Sequence, residues 1–242
     1  MRLLMLGTGN AFAKKYYNNN ALVKVDGYTL LIDCGVTATL SLYQLQIPLN
    51  RIDGIFITHL HADHIGGLEE LAYQNLYLFK RKPQLFVPEK LLEPLWENSL
   101  KAGMDEPLHP GGLDRFFHVV KVAEQTSLQI RPHLRLEAMQ TQHVPGKPSY
   151  SLFLNNLFYS ADVIFDADLI RYAHDQRKCH RILHDCQLSQ PATVHASLEQ
   201  LLTLPEPIQE KILLMHYDDT MEQWIGKTGK MSFILQHVPY SF

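Results

Sequence analysis

The run from Thr58 to Gly67, THLHADHIGG, sets three histidines and an aspartate in a His-x-His-x-Asp-His array directly behind an apolar segment. Ligand-type side chains this dense are costly to hold together unless something binds them. Imidazole nitrogen and carboxylate oxygen suit borderline-soft divalent ions such as zinc, and a short stiff loop aims His59, His61, Asp63 and His64 at one region. A solvated polar loop before a helix is the bland alternative, but four ligand types in six positions speak against it. These four residues cannot complete two coordination spheres alone, so a two-ion site needs further ligands from elsewhere in the chain.

Ile52 to Thr58 reads as a buried strand that delivers His59 at its exit. Four other residues stand at or just past a predicted strand end: His143 in TQHVPG, Asp162 in YSADV, Asp185 in LHDCQ and His216 in LLMHYDD. Each by itself is as well explained by capping or core polarity. Beside the first cluster they become candidate partners. His109, His118, His133, His174, His180 and His237 have no such company and are expected on the surface or in loops.

The remaining pattern is one of alternating strands and helices. Arg2 to Leu6 reads as a buried strand, and Ala21 to Val25 with Tyr28 to Ile32 flank Asp26-Gly27, a tight-hairpin dipeptide. Leu40, Tyr43 and Ile47 keep helical spacing until Pro48. Ile65 to Phe79 predicts a helix whose Gly66-Gly67 start permits close packing. Lys80 to Glu124 carries five prolines and is expected in short pieces. Later, Asn155-Asn156 marks a second hairpin, Arg181 to His184 and Ile212 to Met215 read as strands, and Leu198 to Leu204 as a helix. A chain of 242 residues with 46% hydrophobic content can bury a substantial core as one unit, residues 1–242, of packed sheets with outer helices.

A formal net charge of −3 offers no general attraction for a long polyanion. Three cysteines, Cys34, Cys179 and Cys186, are too sparse for a disulfide framework and suit a reducing cytoplasm. The opening is interrupted by Gly7 and Gly9 before a signal-type apolar region develops, and no stretch approaches the ~18 to 20 apolar residues of a membrane span. A cytoplasmic protein without membrane partners is expected.

The motif THLHADHIGG, the opening LGTGNA, the IDCG after the first hairpin, and His143, Asp162 and His216 together resemble the metallo-β-lactamase superfamily over nearly the whole chain. ILHDCQ, TVHAS and LLMHYD are similar to the ribonuclease Z branch, whose segments read roughly His-Glu-Ala-Thr, His-Ser-Thr and Thr-His-Phe. Asp185 stands in place of that glutamate, and His195 matches the histidine. The resemblance implies an α/β fold (α+β by some schemes), an αββα sandwich of two mixed sheets with outer helices, and phosphodiester hydrolysis on two divalent ions, zinc or manganese. It assigns His59, His61 and His143 to one ion, Asp63, His64 and His216 to the other, and Asp162 as bridge. Asp63, Asp185 and His195 are the catalytic candidates, the last two as a relay that orients a proton donor.

Ribonuclease Z proteins that process transfer RNA carry a long basic arm between the counterparts of His143 and Asp162. Here that interval spans 19 residue steps, filled by one hairpin. A missing arm and a mildly acidic chain favour a small substrate over a large RNA, with no stable nucleic-acid partner. Compact members of the branch include cyclic-nucleotide phosphodiesterases. The opening LGTGNAF…YYNNNALV is similar to that of the anti-Pycsar enzymes, which degrade cyclic pyrimidine mononucleotides used as antiviral signals. The resemblance therefore implies hydrolysis of cyclic mononucleotides, cyclic CMP and cyclic UMP among them. A ribonuclease acting on small RNA, a lactonase and a non-enzymatic metal-binding module remain as alternatives. Asn20, Ser149 and Tyr150 are candidate substrate contacts. Tyr73, Tyr77 and Phe79 give the Leu68–Phe79 stretch more apolar face than one helix needs, so a homodimer is expected.

Overall fold

The computed structural model describes residues 1–106 and 108–242; Pro107, within the proline-rich middle segment, lies outside them. Among the described residues, fourteen strands form two seven-stranded mixed sheets. The first sheet contains β1 (Arg2–Gly7), β2 (Asn20–Val25), β3 (Tyr28–Ile32), β4 (Gly54–Phe56), β5 (Gln84–Pro88) and β6 (His118–Val122). The second contains β7 (Ser127–Arg131), β8 (Leu134–Thr141), β9 (Ser149–Leu154), β10 (Leu157–Tyr159), β11 (Arg181–Asp185), β12 (Ile212–Met215) and β13 (Ser232–Phe233). β14 (Pro239–Ser241) returns to the first sheet beside β1, giving the order β14-β1-β2-β3-β4-β5-β6 against β13-β12-β11-β10-β9-β8-β7.

Both sheets follow one plan. Hairpin-linked strands pair antiparallel on one side, and crossover-linked strands pair parallel on the other. The first hairpin turns at Asp26 and Gly27, both with positive φ (52° and 76°), as a two-residue I′-type turn demands. β3 is buried at all five positions and is apolar at every one but Thr29, while β8 alternates, with Leu134, Leu136 and Ala138 inward. A shared core joins Leu30, Leu31 and Ile55 of the first sheet to Leu136, Leu152 and Tyr159 of the second. A further cluster packs Ile182 and Leu214 under helical residues Ile170, Leu198 and Leu201. Each such aliphatic side chain contributes roughly 1.5–3 kcal/mol of burial.

The expected helix over 65–79 is broken into a first turn at Ala62–Ile65, a helix at Leu68–Tyr73 and a wider π-helical turn at Gln74–Leu78. The break falls at Gly66-Gly67, where the backbone presses against its neighbours: a Cβ on Gly67 would stand 2.6 Å from the carbonyl oxygen of Gly35. The strand expected over 52–58 is paired only at Gly54–Phe56, because Leu49–Arg51 form a 3₁₀ turn and the chain leaves the sheet towards the histidines. Among the described residues no helix is long and apolar enough to cross a membrane.

Strand exits position the site. The segments after β3, β4, β8, β10, β11 and β12 carry Asp33, His59, His143, Asp162, Cys186 and His216 in turn, with Asp185 the last residue of β11. The two sheets are stitched together there by the Tyr150 amide donating to the Thr58 carbonyl at 3.1 Å.

Candidate metal centre

At this edge two groups of ligand atoms converge: His59, His61, His143 and Asp162 form one, Asp63, His64, Asp162 and His216 the other. Asp162 belongs to both. His59 Nε2 lies 3.1 Å from His61 Nδ1 and His143 Nε2 lies 3.8 Å from Asp162 Oδ2, and the ligand atoms of each group all fall within 4.8 Å of one another. In the second group, Asp162 Oδ1 lies 3.3 Å from His64 Nε2, and Asp162 Oδ2 lies 3.2 Å from His216 Nε2. Donors bound at about 2.0–2.2 Å to a tetrahedral ion stand about 3.4 Å apart, so this spacing fits zinc-class coordination. The buried His64 Nε2 and Asp162 Oδ1 have no hydrogen-bond partner. Such groups are costly unless an ion completes them.

The outward nitrogens are held by the protein. His64 Nδ1 donates to Asp33 at 2.7 Å, His143 Nδ1 donates to the Val194 carbonyl at 2.7 Å, and His59 Nδ1 lies 3.1 Å from Thr58 Oγ1. These contacts turn Nε2 of each ring towards the cluster, whereas His61 presents Nδ1. Asp33 is wholly buried and accepts from the Thr58 amide at 2.8 Å, the Thr58 hydroxyl at 2.7 Å and His64. Its function was not read from the sequence, although IDCG at a strand end was the available signal. A carboxylate behind a ligand imidazole orients the ring and raises its basicity.

Part of the backbone strain lies at the site. Asp33, Ala161 and His216 have φ of 59°, 51° and 59° at the exits of β3, β10 and β12. Non-glycine residues in this left-handed region are uncommon and recur at functional sites.

The electrostatics divide the histidines. Burial pushes His59, His61 and His143 below the ordinary imidazole range. Burial acts in the same direction on His64 and His216, but carboxylates overrule it: Asp162 and Asp33 hold His64 well above the ordinary range, and Asp162 and Asp185 raise His216 to about 10. The carboxyl of Asp162 is raised by burial and brought far below its usual range by His216 and His64.

Beside the second group sits a relay. His195 Nδ1 donates to Asp185 Oδ2 at 2.7 Å, and Asp185 Oδ1 lies 3.3 Å from His216 Nδ1. The His195 ring lies between His143 (centroids 4.7 Å apart) and His216 (4.9 Å, stacked). Burial lowers its pKa, the Asp185 charge raises it, and the net direction is upward. Asp185, although shorter than the glutamate it replaces, therefore reaches His195.

A family model described as "Anti-Pycsar protein Apyc1" matches residues 1–240. The chain belongs to this anti-Pycsar family. A relative of that description from Paenibacillus xerothermodurans is 54% identical over 247 residues, covering 100% of this chain and 98% of the relative. Another from Bacillus phage BSP38 is 45% identical over 253 residues, covering 99% and 97%. The metallo-β-lactamase fold protein YhfI from Bacillus subtilis superposes with a TM-score of 0.75 at 15% identity, covering 99% of this chain and 98% of that one. The short form of human tRNase Z gives 0.71 at 18% identity, covering 100% and 99%. The αββα metallo-β-lactamase fold expected from the motifs is thus the fold of this anti-Pycsar family member.

Other expectations need correction. Asn20 is fully buried and spends its amide within the protein, accepting from the Gly35 amide at 2.9 Å and donating to the carbonyls of Asn19 (2.8 Å) and Asp63 (3.2 Å). It braces the loop that carries Asp63 rather than lining a pocket mouth. Tyr150 is equally buried, its hydroxyl donating to Glu124 at 3.1 Å. Ser149 is buried and donates to the Thr141 carbonyl, yet it borders a cavity beside His143. His237 lies in a turn, as expected, but half-buried, its Nε2 3.1 Å from the Leu6 carbonyl and 2.9 Å from Ser41 Oγ. His118 is on the surface, as expected, exposed at the start of β6.

Proposed function

We propose that this chain is a dinuclear metal phosphodiesterase that hydrolyses 3′,5′-cyclic mononucleotides, cyclic CMP and cyclic UMP included, and so lowers a cyclic-nucleotide antiviral signal inside the cell. The observation that carries the reading is the pair of buried ligand groups sharing Asp162, joined to a His195–Asp185 relay at the open side. Membership of the anti-Pycsar family supports the biological setting. The His143-to-Asp162 interval contains only the β9–β10 hairpin, which supports a small substrate over transfer RNA.

His59, His61 and His143 would hold one ion, Asp63, His64 and His216 the other, with Asp162 between them. When bound, two such ions supply positive charge for the phosphate oxygens and acidify a water towards neutrality. The chain's own residues do the rest. Asp63, its carboxyl raised by burial but held far below the usual range by His216 and His64, stays ionised and accepts the hydrogen bond that orients the attacking water. His195 carries its proton on Nε2 while Asp185 fixes Nδ1. It delivers that proton to the ribose oxygen as the P–O bond breaks and the water oxygen bonds to phosphorus.

The assembly follows the same reading as a homodimer. Tyr73 is consumed within the chain, its hydroxyl donating to the Gly103 carbonyl and its ring against Phe116. Exposed apolar side chains that support pairing include Val36, Leu40, Tyr43, Tyr77 and Leu78, which are 60%, 55%, 81%, 44% and 69% exposed. A groove of about 880 Å³ bordered by Tyr43, Ile47 and Phe79 adjoins them.

One substrate panel tests the function: 3′,5′-cyclic nucleotides of all four bases, a short RNA, a precursor transfer RNA and an acyl-homoserine lactone, each with metal analysis. The reading expects cyclic CMP and cyclic UMP to be opened by protein holding close to two ions per chain, and chelation to abolish this. Intact cyclic nucleotides alongside a cut precursor transfer RNA would overturn it.

A further inference from the structure

A cavity of about 410 Å³ opens against the His59, His61 and His143 face of the metal centre. That volume falls within the range of small-molecule sites. Its lining combines apolar Leu91 and Pro94 with polar Asn98 and Ser99 and the charged Lys147. Asn98 and Ser99 belong to the π-helical turn Trp96–Leu100 that follows Pro94 within the helical stretch 89–104. Turns of this kind are rare and recur at functional sites.

The polar groups around this cavity are not equivalent. The Ser149 hydroxyl is committed to Thr141 and His143 Nδ1 to Val194. Asn98 and Ser99 are exposed, and their side chains make no hydrogen bond to another described residue. A nucleobase presents a flat apolar face and a polar edge, which matches a lining of apolar side chains and free hydrogen-bonding groups.

We propose that this cavity is the base subsite and that Asn98, seconded by Ser99, reads the edge of the base. The inference rests on the cyclic-nucleotide reading above. A carboxamide carries both a donor and an acceptor, and half a turn about its last torsion exchanges them. Cytosine and uracil present opposite donor and acceptor patterns at their 4-positions, an amino group and a carbonyl. One asparagine therefore suits either pyrimidine without a second recognition element.

The test uses the full-length, metal-loaded enzyme and its Asn98→Ala, Asn98→Leu and Ser99→Ala variants. Steady-state kinetics are measured on cyclic CMP, cyclic UMP and bis(p-nitrophenyl) phosphate, a diester without a base. Asn98→Ala and Asn98→Leu should each raise KM for both cyclic nucleotides at least about tenfold, with a smaller change in kcat. The ratio of kcat/KM on cyclic nucleotide to that on the p-nitrophenyl diester should fall by a similar factor. Metal content and unfolding midpoint, measured on each variant, separate this from damage to the fold. KM rising less than twofold in all three variants of an enzyme that does open cyclic nucleotides overturns the base subsite alone. A wild-type enzyme that cleaves the p-nitrophenyl diester and no cyclic nucleotide overturns the substrate reading, and this inference with it.

Discussion

Asp162 and His195 lie a few ångströms from the same centre but differ in what their loss should do. Asp162→Ala deletes the one carboxylate common to both ligand groups, so metal content should drop clearly below two per chain and turnover with it. His195→Ala leaves every member of those two groups in place; it should retain both ions and slow turnover by roughly 10²- to 10⁴-fold. Elemental analysis beside kcat distinguishes the two, and full activity in His195→Ala would reduce that residue to structure. Asp33 provides an intermediate case. Asp33→Asn removes the charge behind His64 while keeping side-chain size, and metal affinity measured by competition with a chromophoric chelator should weaken roughly 10- to 100-fold. Unchanged affinity would mean that packing, not the Asp33 hydrogen bond, orients His64.

The elements matter to the site through how closely their ends approach. Gly35 follows β3, and a Cβ built there would stand 1.8 Å from the backbone carbonyl oxygen of Asp63, a contact no rotamer change can relieve. Gly35→Ala should therefore cost about 3 kcal/mol or more of stability, the upper end of overpacking. It should also displace the Asp63–His64 turn, so that urea unfolding shifts to lower concentration and metal content falls together. A variant with a wild-type midpoint would show that the loop has room the packing does not reveal. The motif itself marked this turn as a ligand carrier. The reason its partner must be glycine became visible only when the loop after β3 and the turn after β4 were brought into contact.

At the scale of the whole molecule, the two sheets share one core while the helices at 38–44 and 68–78 keep apolar residues on the surface. Tyr43, 81% exposed, is the most prominent of these residues near the groove, and Tyr43→Asp places a charge where a partner would press. Light scattering at micromolar concentration should give twice the chain mass for the wild type and the chain mass for the variant, with both retaining their metal. A monomeric wild type would sink the dimer.

The residues that converge at the candidate site were legible in the sequence because their signals are local. A strand read from an apolar run and a histidine or aspartate just past its end need only neighbouring residues, and the hairpins at Asp26-Gly27 and Asn155-Asn156 are equally short-range. The helix over 65–79 was legible in kind but not in its interruption, since periodicity carries no record of a turn that widens to suit its neighbours. What the tertiary structure alone decided is non-local: that Asp33 stands behind His64, 31 positions away, that His195 lies between His143 and His216, and that Asn20 and Tyr150 are spent inside the protein. Whether a polar side chain faces a ligand or braces a loop depends on which strand exits the sheets bring side by side. That choice is made by burial of the shared core, far along the chain from the residues it commits.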